Sequence, residues 1–566
     1  MAKRGSVPKD GWEEYVRRLR VELEQKYGGR NEQLDLIEEH REMAREPKIP
    51  EQYKKTATQH RGPQVYRFLN RVASLMAKSL PQAKVLPMNP TDEEQRKSSE
   101  REKWFNDGVY PLMNETEDFF LKFVDNTVSN GVGVIKCLLR PHLWAIKRDE
   151  NEPDEDYNER VKVVHRRNFP FVWRNVPTRA WYPLYDDDGL SECIEVYQDS
   201  AQALMRRYPR LTYDQLNIQK DYMGQLTKIE YWNRTHAVYI VKNKIVDKFT
   251  HDYGRPPYFE AQANVEKQSM AFPLLHLQDT YNSFVTMILN YAYYTAFPIS
   301  HLKRTHDDAF LPENIDKQSI RLVQGETAVA PMGYDYEFLQ FPRMSAEVHE
   351  ALAIVKQVMD EVSLAPVLYG LSPGSDTSGA ALHPLIAIAK AVLGPATTSI
   401  ARAFDEMAHF ILERIVEDLK EPVPVYVREK KDGVWRGKWL EQGPDDIKHY
   451  YKVVHELQPV IPAERQVNTM YLAALHGQGF IPKRYVVEEG LGEPAPEELL
   501  DERWIEDFEM TPEFTAPLKA EFARQLRVRL GLPPSGQGTL AGAPLAPGGQ
   551  GVPMMPGVQG PVQEGM

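Results

Sequence analysis

The period of the hydrophobic positions changes several times along the chain, and each change marks an element. Between 10 and 47 apolar residues are sparse among charges (WEEYVRRLRVELEQKYGG, then NEQLDLIEEHREMAR). That pattern predicts two polar helices separated at Gly28-Gly29, with Asn31 capping the second. Helices so polar form an arm that packs on another surface, such as a neighbouring subunit. From Pro63 to Leu80, one face carries Val65, Phe68, Leu69, Val72, Leu75 and Met76, a core-facing helix. Thr91 and Glu94 stand in capping-box relation at the head of the next helix. Asn130-Gly131 stops another helix that begins beyond Pro111. The period then falls to two. GVGVIKCLLRPHLWAIK and VKVVHRRNFPFVWRNVP predict strands around an acidic loop, DENEPDEDYNER. LTKIEYWNRTHAVYIVKNKIVDKF predicts more strands, with a hairpin turn at Asn243-Lys244, and a short helix, SAQALMRRYP, precedes them.

Helical spacing returns at LLHLQDTYNSFVTMILNYAYYTAF, where Leu274, Leu277, Tyr281, Phe284, Val285, Ile288 and Tyr291 recur. The remaining face is Thr, Asn, Ser and Gln, and Asp279 is the only formal charge. A helix without charges on either face calls for protein neighbours all round, in a core or between subunits. Pro298 ends it, and SIRLV, TAVAP and YEFLQF predict short strands. From Ser345, Val348, Leu352, Val355, Met359 and Val362 keep near a seam suited to long helix packing. The loop LAPVLYGLSPGSDTSG follows, then a helix from Ala380 to Leu419 that Gly394-Pro395 kinks. VPVYVREKKDGVWRGKWLE predicts a hairpin turning at Asp432-Gly433, and PAERQVNTMYLAALHG, PKRYVVEEG and PEELLDERWIEDF predict short helices. The last 36 residues hold ten Gly, seven Pro and one charge, too little apolar content for a core, and are expected to be disordered. The fold class is α+β, mostly helical.

Composition narrows the function. With 566 residues, 42% of them hydrophobic and 27% charged, the chain is sized for three or four globular domains. No apolar run reaches the ~20 residues of a membrane span, and the N-terminus lacks the apolar stretch of a secretory signal. Two cysteines, Cys137 and Cys193, are too few for a disulfide framework, which predicts synthesis in a reducing cytoplasm. A net charge of −12 argues against a protein that coats nucleic acid, because that needs a basic face. It is compatible with one past which nucleic acid slides ungripped.

Chemical motifs are few. Gly370-Leu371-Ser372-Pro373-Gly374 fits the G-x-S-x-G elbow of a serine hydrolase, but a helix precedes it where a strand is needed. The residue after the serine is Pro373, which has no N–H for an oxyanion hole. Asp186-Asp187-Asp188-Gly189 resembles the middle of a calcium loop, yet the first ligand position is Leu184, so a surface turn is the better reading. Gly437-Lys438 is followed by Trp439 and has no P-loop glycine upstream. The 15 histidines do not fall at metal-ligand spacing. Arg166-Arg167, Arg206-Arg207 and Lys303-Arg304 read as solvated faces. Nothing here points to an enzyme, a cofactor or a metal.

In order and texture, residues 61–510 resemble the portal proteins of tailed bacteriophages. PLLHLQDTYNSFVTMILNYAYYTAFP looks like the first stem helix, ISHLKR to FPR the clip, and AEVHEALAIVKQVMDEV the second stem helix. LAPVLYGLSPGSDTSG looks like the tunnel loop, and ALHPLIAIAKAVLGPATTSIARAFDEMAHFILERIVEDL the long kinked helix. The resemblance implies this division: a wing (61–272), a stem helix (273–298), a clip (299–343), a second stem helix (344–363), a tunnel loop (364–379), the kinked helix with a return to the wing (380–458) and crown-like helices (459–530). The helical arm (1–60) and the Gly/Pro tail (531–566) fall outside it. It further implies a ring, usually of twelve copies, at a capsid vertex of the virion. Such a ring passes double-stranded DNA non-specifically during packaging and ejection, with no membrane involved. Its partners would be the terminase large subunit, head-completion and tail adaptor proteins, and the major capsid and scaffolding proteins. Tunnel-loop candidates are Ser372, Ser375, Asp376, Thr377 and Ser378. Lys303 and Arg304 are candidates to face DNA from the clip, with pairing to Asp307, Asp308 or a neighbour's acids an equal alternative. Another head–tail adaptor or virion ring protein, and remotely a hydrolase using Ser372, are the competing readings.

Overall fold

The structure is a computed structural model. It describes residues 11–480 and Pro482, apart from 52–56, 90, 116, 150–151, most of 210–223, 297–299, 306–333, 339–342, 364–378, 432–433, 449 and 459–461. The chain divides into two units, Met1–Ile481 and Pro482–Met566, and the described helices and strands all belong to the first. The predicted strands SIRLV and TAVAP, the turn Asp432-Gly433, the helices PKRYVVEEG and PEELLDERWIEDF, and the Gly/Pro tail lie outside the described residues.

The first unit is layered around one strand. Val132–Leu139 runs between Phe171–Val176 and Tyr258–Gln262, antiparallel to both. Its side chains alternate between two cores, as a period of two requires. Ile135, Cys137 and Leu139 join the helical core, whereas Val132 and Val134 join Trp181, Cys193, Trp232 and Tyr239 of a second sheet. That sheet is a five-stranded meander: Trp181–Asp186, Gly189–Ser200, Gln225–Asn233, His236–Val241 and Lys244–Thr250. The last hairpin turns on Lys242 and Asn243, both at positive φ (47° and 65°), one residue before the expected Asn243-Lys244. Asp186, Asp187 and Asp188 form the turn before Gly189, and Arg234 pairs with Asp186 at 2.9 Å.

Two sequence expectations give way here. The arm helices, Trp12–Lys26 and Gly28–Arg41, do not await a neighbouring subunit. Trp12, Val16, Leu19 and Leu23 cover the outer face of the meander, against Tyr182, Ile194, Tyr231 and Ile240. Burying side chains of this size contributes about 1.5–3 kcal/mol each, enough to hold the arm on its own chain. Asn31 is no cap: the second helix starts at Gly28, and the Asn31 N–H already donates to the Tyr27 carbonyl at 3.1 Å. The second correction is a helix, Asp154–Arg167, where VKVVHRR had suggested a strand. Its first turn is Asp154, Glu155 and Asp156 and its last His165, Arg166 and Arg167, charges that complement the helix dipole at both ends. The β-branched pair Val163-Val164 lies on a helix with no fully buried residue, so no sheet face draws it in.

Between the two sheets lies a buried ionic cluster. Lys136, the one charge on the central strand, pairs with Glu230 and, at 3.3 Å, with Glu195; Lys228 pairs with Glu230 at 2.6 Å and Arg174 with Glu195 at 2.8 Å. Burial pushes the Lys228 ammonium down to about 8, against the pull of Glu230. Burial disfavours ionised Glu230 too, but Lys136 and Lys228 together hold its carboxyl well below the usual range.

The spine of the helical core is Gly379–Arg414, continued by a π-turn at Ile415–Leu419. It is assigned as helix straight through Gly394-Pro395, where the Thr397 hydroxyl donates to the Gly394 carbonyl at 3.0 Å. Phe404 on this spine packs edge-on against Tyr110 and Phe120, at 5.4 and 5.7 Å between ring centroids. Leu393, Ile400, Met407, Ile411 and Ile415 are fully buried. Gln64–Ala77 and Phe119–Asn130 pack alongside, and Gly131 ends the latter at φ 80°, as expected of Asn130-Gly131. At the head of Asp92–Lys103 the Thr91 hydroxyl accepts from the Glu94 N–H at 3.4 Å, the forward half of the expected capping box.

Candidate functional site

The helix Phe272–Ala296 carries a single formal charge, Asp279, and its polar face meets protein neighbours within its own chain. The residues it buries are Leu274, Leu275, Gln278, Asp279, Asn282 and Thr286, largely the polar face. Tyr281, Phe284, Val285, Ile288 and Tyr291, the apolar stripe, are only half-buried. Gln278, Asn282, Thr286 and Asn290 stand four residues apart, so one above another on the helix.

These four side chains hold an extended strap of the same chain by its backbone. The Thr58 N–H donates to Asn290 Oδ1 at 2.8 Å, His60 to Thr286 Oγ1 at 2.9 Å, and Gly62 to Asn282 Oδ1 at 2.9 Å. Val65 N–H donates to Gln278 Oε1 at 3.3 Å. The amides answer in kind: Gln278 Nε2 donates to the Gly62 carbonyl at 2.7 Å and Asn290 Nδ2 to that of Thr58 at 3.0 Å. The match is one of pitch. Four helical residues rise about 6 Å, and two extended residues advance about 6.6 Å, so alternate strap amides meet successive rungs.

Asp279 anchors the lower end. Both its oxygens accept from Arg45 Nε, at 2.9 and 3.0 Å, and His40 Nε2 lies 3.4 Å away. Burial, which outweighs the attraction of Asp279, keeps His40 below its ordinary pKa. Burial works against Arg45, yet its bonds to Asp279 and Glu39 raise it. The single charge of the helix is therefore neutralised within the chain.

Beyond this helix comes a two-stranded insert, Ser300–Arg304 paired antiparallel with Tyr334–Phe338, and then Ala346–Val362, capped by Ser345 in extended conformation. Met359 of that helix is buried, and Val348, Leu352 and Val355 are half-buried. The structure places Lys303 opposite Asp335 and Arg304 opposite Tyr334. Lys303 Nζ pairs with Glu337 at 3.1 Å, across the hairpin, an acid the sequence reading had not considered. Ser372, Ser375, Asp376, Thr377 and Ser378 lie outside the described residues. No group of three or more His, Cys, Asp or Glu among the described residues could hold a metal, and no described helix is long and apolar enough to cross a membrane.

Residues 161–489, more than half of the chain, match the model of the phage portal proteins of the SPP1 Gp6-like kind. The chain belongs to this family. The portal-family match takes in the whole meander, the helices Phe272–Ala296 and Ala346–Val362 with the insert between them, and the buried spine. No curated protein matches the sequence. Among solved structures, one chain of the neck of an empty gene transfer agent particle, computed with C6 symmetry, is 10% identical with a TM-score of 0.39, covering 78% of this chain and 94% of that one. A chain of the neck of a native particle, computed with C12 symmetry, is 12% identical with a TM-score of 0.37, covering 75% and 89%. A chain of the native gene transfer agent virion is 11% identical at 0.38, covering 76% and 90%.

The rungs of the strap were missed by sequence reasoning. Their signal was present: amide and hydroxyl residues at a strict spacing of four, without the Lys and Glu of a solvated face. Carboxamides at that spacing carry donor and acceptor together, which is what a passing backbone needs.

Proposed function

We propose that this portal-family chain is one subunit of a ring at a capsid vertex, the conduit for double-stranded DNA during packaging and ejection. Membership of the portal family over residues 161–489 carries the reading. In this proposal Phe272–Ala296 and Ala346–Val362 are the stem, residues 299–343 the clip, and 364–379 a tunnel loop that includes Ser372, Ser375, Asp376, Thr377 and Ser378. The arm, wing, return and crown follow the divisions at 60, 272, 458 and 530. The clip is the docking surface for the terminase and, later, for head-completion and tail proteins. Capsid and scaffolding proteins surround the ring in the virion.

Two features support a ring. The strap covers the polar face of Phe272–Ala296 and Ala346–Val362 covers part of its apolar face, yet large apolar side chains remain exposed on both helices. Met287 (44% exposed), Leu289 and Tyr293 on that helix, Ile354 and Val362 on the next, and Ile388 and Val392 on the spine are all exposed. Exposed apolar side chains on these helices suit a partner surface, and closed rings supply one to every copy. The acidic total of −12, repeated around a ring, keeps phosphate from sticking. Lys303, tied to Glu337, gives a DNA-facing clip little net positive charge, which suits passage rather than grip.

The test is negative-stain imaging with mass determination of the purified chain. Channelled rings, of about twelve copies on this reading, are the expected result. A monodisperse monomer at every concentration tried would sink it. Esterase activity that disappears with Ser372→Ala would move the reading to the hydrolase instead.

A further inference from the structure

A concavity of about 630 Å³ opens where the C-terminal end of Asp154–Arg167 meets the hairpin Val423–Lys431/Val434–Gln442. It gathers Arg166, Arg167 and Arg428, and none of the three has a carboxylate partner among the described residues. Three guanidiniums thus share one cavity in a chain of net charge −12. The Arg166 guanidinium lies over the Trp439 ring, 5.3 Å from its centroid, and Tyr426 meets Trp439 edge-on at 5.3 Å. Tyr426 is 48% exposed, yet it is held: its ring lies across Gly437, where any Cβ would overlap it.

We propose that this pocket docks an acidic peptide segment of a partner protein, one that carries a large apolar side chain among its carboxylates. Planar guanidiniums take carboxylates two bonds at a time, and arginine with tryptophan and tyrosine is the composition that dominates binding energy at interfaces. Phe169 and Leu112, which also line the cavity, take the apolar anchor. Asp107 and Glu115 also line the cavity. With three guanidiniums against two carboxylates, the cavity has a small positive excess, which a short acidic segment matches better than a continuous run of phosphates. The concavity also favours a peptide, since a duplex is convex and needs an extended basic track rather than a pit. The pocket is built within a single chain, so it is present whether or not the chain forms a ring.

The probe is a short fluorescein-labelled peptide of Asp and Glu around one Phe, titrated against the full chain and followed by anisotropy. Its Asn/Gln counterpart and a short labelled duplex DNA run beside it. Saturable binding is expected for the acidic peptide alone, weakening with added salt. Arg167→Gln with Arg428→Gln, both on exposed side chains, is expected to weaken it at least about tenfold, the scale of lost charge-assisted hydrogen bonds. Circular dichroism checks that the double variant keeps its fold. Equal binding of the neutral peptide, binding unaffected by the double substitution, or no saturable binding at all would overturn the proposal. So would duplex DNA that binds more tightly than the peptide and loses affinity in the same variant, since the pocket would then be a phosphate site.

Discussion

The strap on Phe272–Ala296 makes a quantitative prediction for Asn282→Ala. Asn282 Oδ1 accepts from the Gly62 N–H at 2.9 Å, and both residues are buried, so no water replaces the lost partner. Leaving a buried amide unsatisfied costs about 1–3 kcal/mol. The strap is hydrogen-bonded rung by rung, so the loss should appear first as local opening rather than global unfolding. At RT near 0.6 kcal/mol, amide exchange across residues 57–63 should quicken by roughly 5- to 150-fold. Hydrogen exchange read by mass spectrometry on a peptide spanning those residues is the assay. Thr280→Ala is the control, since the Thr280 hydroxyl donates only within its own helix, to the His276 carbonyl at 3.0 Å. Exchange that is unchanged in Asn282→Ala, or equally raised in Thr280→Ala, would refute the idea that the polar rungs hold the strap.

Three further outcomes are expected of buried groups. Lys136→Met should destabilise by about 3–5 kcal/mol, because Glu195 and Glu230 stay buried with one cation fewer; an unfolding free energy from urea titration within about 1 kcal/mol of wild type would contradict this. Gly131→Ala should cost about 1 kcal/mol or more in thermal or urea unfolding, since φ is 80° and a Cβ would overlap the Lys267 carbonyl. Burial lowers the pKa values of His251 and His455 from 6.5, so both are neutral when folded and take up protons on unfolding. Stability should therefore be full above about pH 6.5 and fall as pH drops below it, and His251→Asn should show a shallower fall in melting temperature between neutral and mildly acidic pH than wild type.

Much of the organisation was legible along the chain. The strands of 225–250, the helix from Ser345 and the stop at Asn130-Gly131 all come from local signals that tertiary packing left in place. Two readings failed for opposite reasons. Val163-Val164 advertises a strand, but a strand needs a sheet face to cover it, and the end charges favoured a helix instead. The arm looked too polar to belong to its own core, because its apolar residues stand among charges; Trp12, Val16, Leu19 and Leu23 fall on one face, and they suffice.

By itself, then, the sequence determined the type and order of most elements, the chargeless character of Phe272–Ala296 and, through residues 161–489, the family. Those are properties of spacing and residue type, and they survive whatever packs against them. Only the tertiary structure decided which face of that helix is spent within the chain. Periodicity marks faces without naming partners, and the partner here lies 213 to 232 residues away along the chain. It is an extended strap whose backbone, invisible to hydropathy, fits the i+4 rungs. The same limit applies to the pocket beside Trp439, where Arg166, Arg167 and Arg428 come together only through the fold.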